Sequence, residues 1–245
     1  MERLSHRLRQ SGLAVCRLLW DFRVTLLVVA VVLGLSLISL LALESGFVTR
    51  DQLFASRSNP LGVVISVFSH WDRERLWVNT QGLLFYAGAY IFASIPQASE
   101  ERVRRGNWFA WFAIPTAVAV NIVYVSFSTV STLGASGLVY AVFGAALVFL
   151  VQNFAGEIND LYLVVRKRKS IAQKSPPPWW RGVDLLLFLT FLYLLVFYRD
   201  LVFGVGQSGA NPFAHILGFA SGFVLTGWKL RSRKAEVNDM LREET

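Results

Sequence analysis

The stretch that decides the fold of this chain covers residues 134–151 and reads GASGLVYAVFGAALVFLV. It carries no charge, and such a helix is stable only where lipid or other helices surround it. A second stretch, AHILGFASG at residues 214–222, places a histidine in similar surroundings. A serine hydroxyl and an imidazole together make an activated nucleophile, because the imidazole accepts the hydroxyl proton. The pair predicts hydrolysis inside a membrane.

The composition of the whole chain is that of a membrane protein. Hydrophobic residues make up 54% of it and charged residues 16%, whereas soluble chains carry about 25% charged residues. Six apolar stretches approach the length needed to cross about 30 Å of hydrocarbon, and the fourth and fifth are short. They cover residues 24–43, 76–95, 108–125, 136–151, 183–198 and 213–230. The sequence predicts an all-α membrane protein with six transmembrane helices, while the apolar segment 61–69 is too short to cross and is expected at the membrane surface.

The basic residues predict the orientation of the six spans. All but five of the 24 lysines and arginines fall in segments that the six-span plan puts on one side, and such segments stay cytoplasmic. The predicted organisation is a cytoplasmic N-terminal segment (1–23), a transmembrane domain (24–230) and a cytoplasmic C-terminal tail (231–245). The net charge of +8 is then a topology signal, reinforced by contact with anionic lipid, so no nucleic-acid partner is predicted. The absence of a recognisable transit peptide favours a cell membrane.

Several other classes of site are not predicted. The only histidines are His6, His70 and His215, and no carboxylates flank them at metal-ligand spacing. We therefore expect no metal and no cofactor. The lone Cys16 excludes an intramolecular disulfide. The segment 199–211 contains three glycines and is expected to be a loose connection or a gate before His215.

Small residues follow Ser136 and His215 at the spacing of one helix face. Gly137 and Ala141 form one such stripe, and Gly218 and Gly222 form the other. Small residues at spacing four let membrane helices approach closely, which would bring the serine and the histidine together. Taken alone, the serine is an ordinary packing residue, whereas an ionisable group within a span is costly and usually functional. The stripes predict no particular oligomeric state.

At these residues the chain resembles the rhomboid family of intramembrane serine proteases. That family has the pattern Gly-x-Ser-Gly-x-x-Tyr-Ala-x-x-Gly, which stands here as Gly134, Ser136, Gly137, Tyr140, Ala141 and Gly144. It also has Ala-His-x-x-Gly-x-x-x-Gly, which stands here as Ala214, His215, Gly218 and Gly222. The resemblance implies a six-helix rhomboid-like bundle that cleaves transmembrane protein substrates in the lipid bilayer.

The resemblance also implies roles for individual residues. Ser136 would be the nucleophile, His215 the general base and then acid, and Tyr140 would stack near the imidazole. The family supplies oxyanion donors partly from the second span, with the pattern His, four residues, His, three residues, Asn. His70 and Asn79 match that pattern, and the backbone N–H of Ser136 is a further donor. His70 is expected to be a structural hydrogen-bonding residue or a retained family position.

Arg75 replaces the middle histidine of that pattern. Its permanent charge and five donors would allow it to assist the oxyanion, or its long side chain would reach the headgroups and leave the hole one donor short. A third interpretation is a protein that binds membrane-protein clients without cleaving them. Because Ser136, His215 and Tyr140 remain, reduced activity is the favoured prediction. A small-solute transporter fits the hydropathy, but the chain lacks the repeated halves that such proteins often have.

Overall fold

A computed structural model describes residues 2–128, 132, 134–167, 178–205 and 211–243 of the chain. The described residues are helical apart from turns, connections and two isolated β-bridges. The helices are α1 (Glu2–Asp21), α2 (Arg23–Glu44), α3 (Arg50–Leu53), α4 (Gly62–Ile65), α5 (Arg73–Ser94), α6 (Ser99–Phe127), α7 (Ser136–Lys167), α8 (Pro178–Phe197), α9 (Arg199–Phe203) and α10 (Pro212–Glu243). A 3₁₀ turn covers Ser66–Phe68. The predicted all-α class is confirmed.

Four of the described helices are long and apolar enough to cross a membrane by length and composition. They are α2, α6, the part of α7 from Ser136–Asn159, and Trp179–Phe197 of α8. The remaining two predicted spans lie in α5 and α10, which are as long but carry more polar residues. Helices α6, α7 and α10 continue past the limits of the predicted segments, and the apolar part of α7 reaches Asn159 rather than residue 151.

Helix α7 is the centre of the bundle. Between residues 138 and 150 every residue except Tyr140 is buried, which explains why the sequence is apolar around the whole helix rather than on one face. Helix α8 lies at the periphery, with 17% of its apolar window buried against 67% for α7. The deciding stretch of the sequence is thus the element on which the others pack.

Contacts along α7 give the direction of its neighbours. Helix α5 runs parallel to it, because the contact of Gly82 with Val139 is followed, further along both helices, by the hydrogen bond from Asn153 to the Ala93 carbonyl (2.9 Å). Helix α6 runs antiparallel, because Arg105, early in α6, lies beside Phe149, whereas Val120, later in α6, lies beside Gly137 at the start of α7. Both ends of the bundle are therefore built from several helices.

The segment 61–69 folds into short helical elements that pack against α6. The side chain of Asn121 donates to the Val63 carbonyl (3.1 Å) and to the Ser66 hydroxyl (2.9 Å). Ser66 and Val67 are fully buried. This segment does not cross the bundle; it closes the end at which α7 begins.

The opposite end is basic and ion-paired. Asp21 accepts hydrogen bonds from Ser99 (2.8 Å) and Arg102 (2.7 Å). Burial raises the pKa of Asp21, but those two partners outweigh burial and hold the pKa below its usual value. The segment before residue 24 also contains a helix, α1, which was not predicted because its apolar residues are interspersed with charged ones and form no long apolar stretch.

Candidate active site

The turn before α7 makes Ser136 the first residue of that helix. Gly134 has φ of 131°, a conformation that favours glycine, and its N–H donates to the Ser66 carbonyl (3.0 Å). Ser136 is half-buried. Since the first N–H groups of a helix have no intrahelical acceptor, the backbone N–H of Ser136 belongs to an anion-friendly helix start.

Glycines bring α7 and α10 into backbone contact. A Cβ added at Gly218 would lie 2.4 Å from the Gly137 carbonyl oxygen, and one at Gly222 would lie 1.9 Å from the Ala141 carbonyl oxygen. The close approach predicted from the two stripes is present. The paired positions rise together along both helices, so α7 and α10 are parallel and start at the same end.

The imidazole of His215 is oriented by backbone. Its Nδ1 lies 2.9 Å from the Phe203 carbonyl, and because a carbonyl only accepts, Nδ1 carries the proton. The lone pair of Nε2 then faces away from that bond and is the basic site of the ring. Helix α10 is capped beside it, where Asn211 accepts from the Ala214 N–H (3.1 Å).

The ring of Tyr140 covers the imidazole. The two rings stack with centroids 4.2 Å apart and an interplanar angle of 22°. The Tyr140 hydroxyl donates to the carbonyl of Val202. The ring is therefore held at its hydroxyl by the segment before α10 and at its face by His215.

Ser136 lies in the first turn of α7 and His215 in the first turn of α10. These turns are neighbours, because Gly137 of α7 and Gly218 of α10 are in contact. Within the part of the chain that the structure describes, the Ser136 hydroxyl and the His215 imidazole are not joined by a hydrogen bond. Catalytic hydrogen bonds are often long or poorly aligned before substrate binds. The arrangement brings the predicted nucleophile and base to one end of one interface.

Asn79 and Arg75 reach the same end from α5. Gly82 approaches Val139 so closely that an added Cβ would lie 3.0 Å from its side chain, and Asn79 is one turn earlier on the same helix face. Arg75, a further turn out and half-buried, interacts electrostatically with both His70 and His215. The residue that departs from the family pattern thus belongs to the same end of the bundle as the histidine.

His70 is buried below the loop that precedes α5. Its side chain is 2% exposed, and neither ring nitrogen has a hydrogen-bond partner. Burial lowers the pKa of His70 to about 4; Asp72 opposes that effect and Arg75 adds to it. The imidazole is therefore neutral at physiological pH, and the hydrogen bonds expected of a structural histidine are not present.

The partners of Tyr140 and His215 were not predicted from the sequence. Both are backbone carbonyls, of Val202 and Phe203, in or beside α9, where a loose connection was expected. No residue type marks a backbone acceptor, so no signal in the sequence would have found them. Residues 206–210 of that connection lie outside the described residues.

Among the described residues no group of three or more histidine, cysteine or acidic side chains is placed to hold a metal ion. The family model described as the Rhomboid domain matches residues 57–233. That range begins in the loop before α4, contains α5 to α9 and ends within α10. No curated protein and no solved structure matches the chain.

Proposed function

The chain belongs to the rhomboid family, and on that premise we propose that it is a serine endopeptidase that cleaves membrane proteins within or next to a transmembrane helix. Members of the family are generally serine intramembrane proteases. The observation that carries the proposal is the His215 imidazole, oriented through Nδ1 by Phe203 and stacked on Tyr140 at the start of the helix that pairs with Ser136.

The proposed reaction is acyl transfer through a Ser-His dyad. The Ser136 oxygen attacks a substrate carbonyl carbon while its proton passes to Nε2 of His215. The same nitrogen then gives that proton to the leaving amine, and the peptide C–N bond breaks. Water then attacks the acyl-enzyme while His215 accepts a proton from it, and His215 returns that proton to the Ser136 oxygen as the ester bond breaks. The Phe203 carbonyl keeps the proton on Nδ1 and so performs the orienting part of a third triad residue.

The developing oxyanion needs donors that are already in position. The backbone N–H of Ser136 and the side-chain amide of Asn79 are the proposed donors. Arg75 has two opposing effects in this scheme. Its guanidinium stabilises the negative oxyanion, but it repels the positive imidazolium that His215 becomes. We propose that these effects partly cancel and leave a slow or substrate-restricted enzyme.

The proposed setting is a six-span bundle with both termini in the cytoplasm. The four apolar helices and the family support an integral membrane protein, and the parallel course of α5, α7 and α10 against α6 supports alternating crossings. The distribution of basic residues supports an orientation with the dyad end on the outer side of a cell membrane. The substrates would be transmembrane proteins whose helices unwind to present an extended backbone to Ser136.

The test is cleavage of a single-span model substrate by purified protein in liposomes. Ser136→Ala and His215→Ala should each abolish the product. Ser126→Ala is the matched control, because Ser126 is an exposed serine at the end of α6 that donates only to its own helix (2.8 Å). Undiminished cleavage by Ser136→Ala would refute the proposal.

A second candidate function is client binding without cleavage, and Arg75 is the observation that favours it. Here Arg75→His separates the candidates, with Arg73→His as the control, since Arg73 is exposed and paired with Glu44 (2.8 Å). One missing oxyanion donor costs about 10²- to 10³-fold in kcat, so we expect Arg75→His to raise the cleavage rate by tenfold or more. An unchanged rate contradicts the weakened-hole account, and absence of fluorophosphonate labelling at Ser136 in folded protein supports the binder.

A further inference from the structure

A cavity of about 270 Å³ lies between α6 and α10, at the end of the bundle opposite Ser136. Its walls combine cationic side chains with aromatic ones. The residues that matter for its chemistry are Glu101, Arg104, Arg105, Trp108, Lys229 and Arg233. None of them takes part in the proposed reaction.

The cavity holds more positive charge than its single carboxylate neutralises. Glu101 pairs with Arg105 at 3.3 Å, with Arg104 at 3.8 Å and with Arg233. Lys229 is a fourth cation, and its Nζ lies 5.8 Å from the centroid of the Trp108 ring. Four cations around one carboxylate leave an excess of three positive charges, which favours an anionic ligand.

The cations of the cavity differ in exposure and in how firmly they are held. Arg105 is 4% exposed in its side chain and is held by Gln152 (3.2 Å) and by the Phe149 ring, 4.0 Å away. Arg104 is half-exposed, so its guanidinium can reach a ligand at the cavity mouth. Arg105 therefore supplies a fixed positive potential inside the cavity. Arg104 and Lys229 supply hydrogen-bond donors that can adjust to a ligand.

The remaining wall suits an acyl chain. Trp111 is 76% exposed, and Trp108 is fixed in place by a hydrogen bond from its indole N–H to Thr226 (3.4 Å). Both tryptophans lie at the start of the apolar segment 108–125 of α6, and tryptophans at such a boundary are typical of the interface between hydrocarbon and headgroups. An anion that enters this cavity from the membrane would have its charged part among the arginines and its apolar part along the tryptophans.

We infer that the cavity binds an anionic phospholipid. The phosphate lies among Arg104, Lys229 and Arg233, and an acyl chain lies against Trp108 and Trp111. Basic pockets between membrane helices bind acidic lipid headgroups in other proteins. A free phosphate would satisfy the cations alone, whereas a lipid also covers the exposed indoles. The bound lipid would bridge α6 and α10, and this inference does not depend on proteolysis.

Native mass spectrometry of the full chain released from detergent tests the assignment. Dioleoyl phosphatidylglycerol, dioleoyl phosphatidylcholine and inorganic phosphate are added separately. The test variant is Arg104→Gln with Lys229→Gln. The control is Arg17→Gln with Arg231→Gln, which removes the same charge from exposed residues near the same end. Retained ligand is counted per folded protein, so a loss of yield does not mimic a loss of binding.

We expect one retained phosphatidylglycerol on the wild type and the control. Each basic group near an anionic lipid is worth about fivefold in binding, so the test variant, which lacks two, should bind about 25-fold more weakly. Equal retention of phosphatidylcholine would overturn the inference, as would equal binding by test and control variants. Retention of inorganic phosphate without phosphatidylglycerol would also overturn it and assign the cavity to a soluble anion.

Discussion

The two halves of α10 are held by different means. In its first half, Gly218 and Gly222 place backbone directly against the backbone of α7. In its second half, Arg233 reaches across to Glu101 of α6, beside an open cavity. Backbone contact permits almost no displacement, whereas long charged side chains adjust to one another. The half that carries His215 is therefore the precisely placed half, and the basic half has room for a ligand.

Substitution at the backbone contact should have the largest effect. In Gly222→Ala the new Cβ would lie 1.9 Å from the Ala141 carbonyl oxygen, and neither backbone can move away cheaply. We expect a loss of about 3 kcal/mol of stability, at the upper end of typical overpacking costs, measured by unfolding in detergent. Gly227→Ala is the matched control on the same helix, since nothing lies within 4 Å of its added Cβ. Equal losses would show that close contact is not what holds this half.

The ion-paired half should tolerate change better. Glu101→Gln removes the carboxylate shared by three arginines and leaves Arg105 buried with Gln152 as a remaining acceptor. We expect a cost of about 2 to 3 kcal/mol, below that of an unpaired buried charge, by the same unfolding measurement. Arg104→Gln removes only the longest, half-exposed pair and should cost under about 1 kcal/mol. A larger loss for Arg104→Gln than for Glu101→Gln would reverse this assignment.

Acid should weaken the dyad end before it weakens the basic end. The pKa of His70 is lowered to about 4 in the folded protein, so unfolding takes up a proton between pH 6.5 and 4, and stability falls as the pH drops through that window. The expected loss is about 2 kcal/mol by pH 5. The lowered pKa of Asp21 acts in the same direction but at lower pH, since its stabilisation is present above its unfolded pKa near 3.8 and is lost only as the pH falls below that value.

Unfolding temperatures measured from pH 7.5 to pH 4.5 check this separation. His70→Leu should reduce the slope of the pH dependence, and Asp21→Asn should leave the slope in this window unchanged. If His70→Leu retains the full slope, another group is responsible for the acid sensitivity.

Only a small effect on stability is expected at the cap of α10. Asn211→Ala removes the acceptor for the Ala214 N–H and the donor to Thr132 (2.9 Å). Loss of such a cap costs about 1 kcal/mol. Asn211→Ser keeps a capping oxygen and should recover most of the stability; if it is no better than alanine, the bond to Thr132 matters more than the cap.

Prediction from the sequence succeeded where residue type and spacing carry the information. The long apolar stretches predicted helices, and the stripes predicted the contact of Gly218 with Gly137. It failed for α1 and α9, because an amphipathic helix with interspersed charges forms no long apolar stretch and a five-residue helix is too short to form one. The roles proposed for Ser136, His215 and Asn79 stay predictions until the variants are assayed.

The sequence by itself determined the class of the protein, the apolar character of the 134–151 stretch and the residue types available for chemistry. These depend on local composition and on helical periodicity, which are properties of neighbouring residues. Only the tertiary structure decided that Phe203 sets the His215 tautomer and that Glu101 serves three arginines. The physical reason is that a backbone carbonyl is common to every residue, and a shared carboxylate depends on which helices meet.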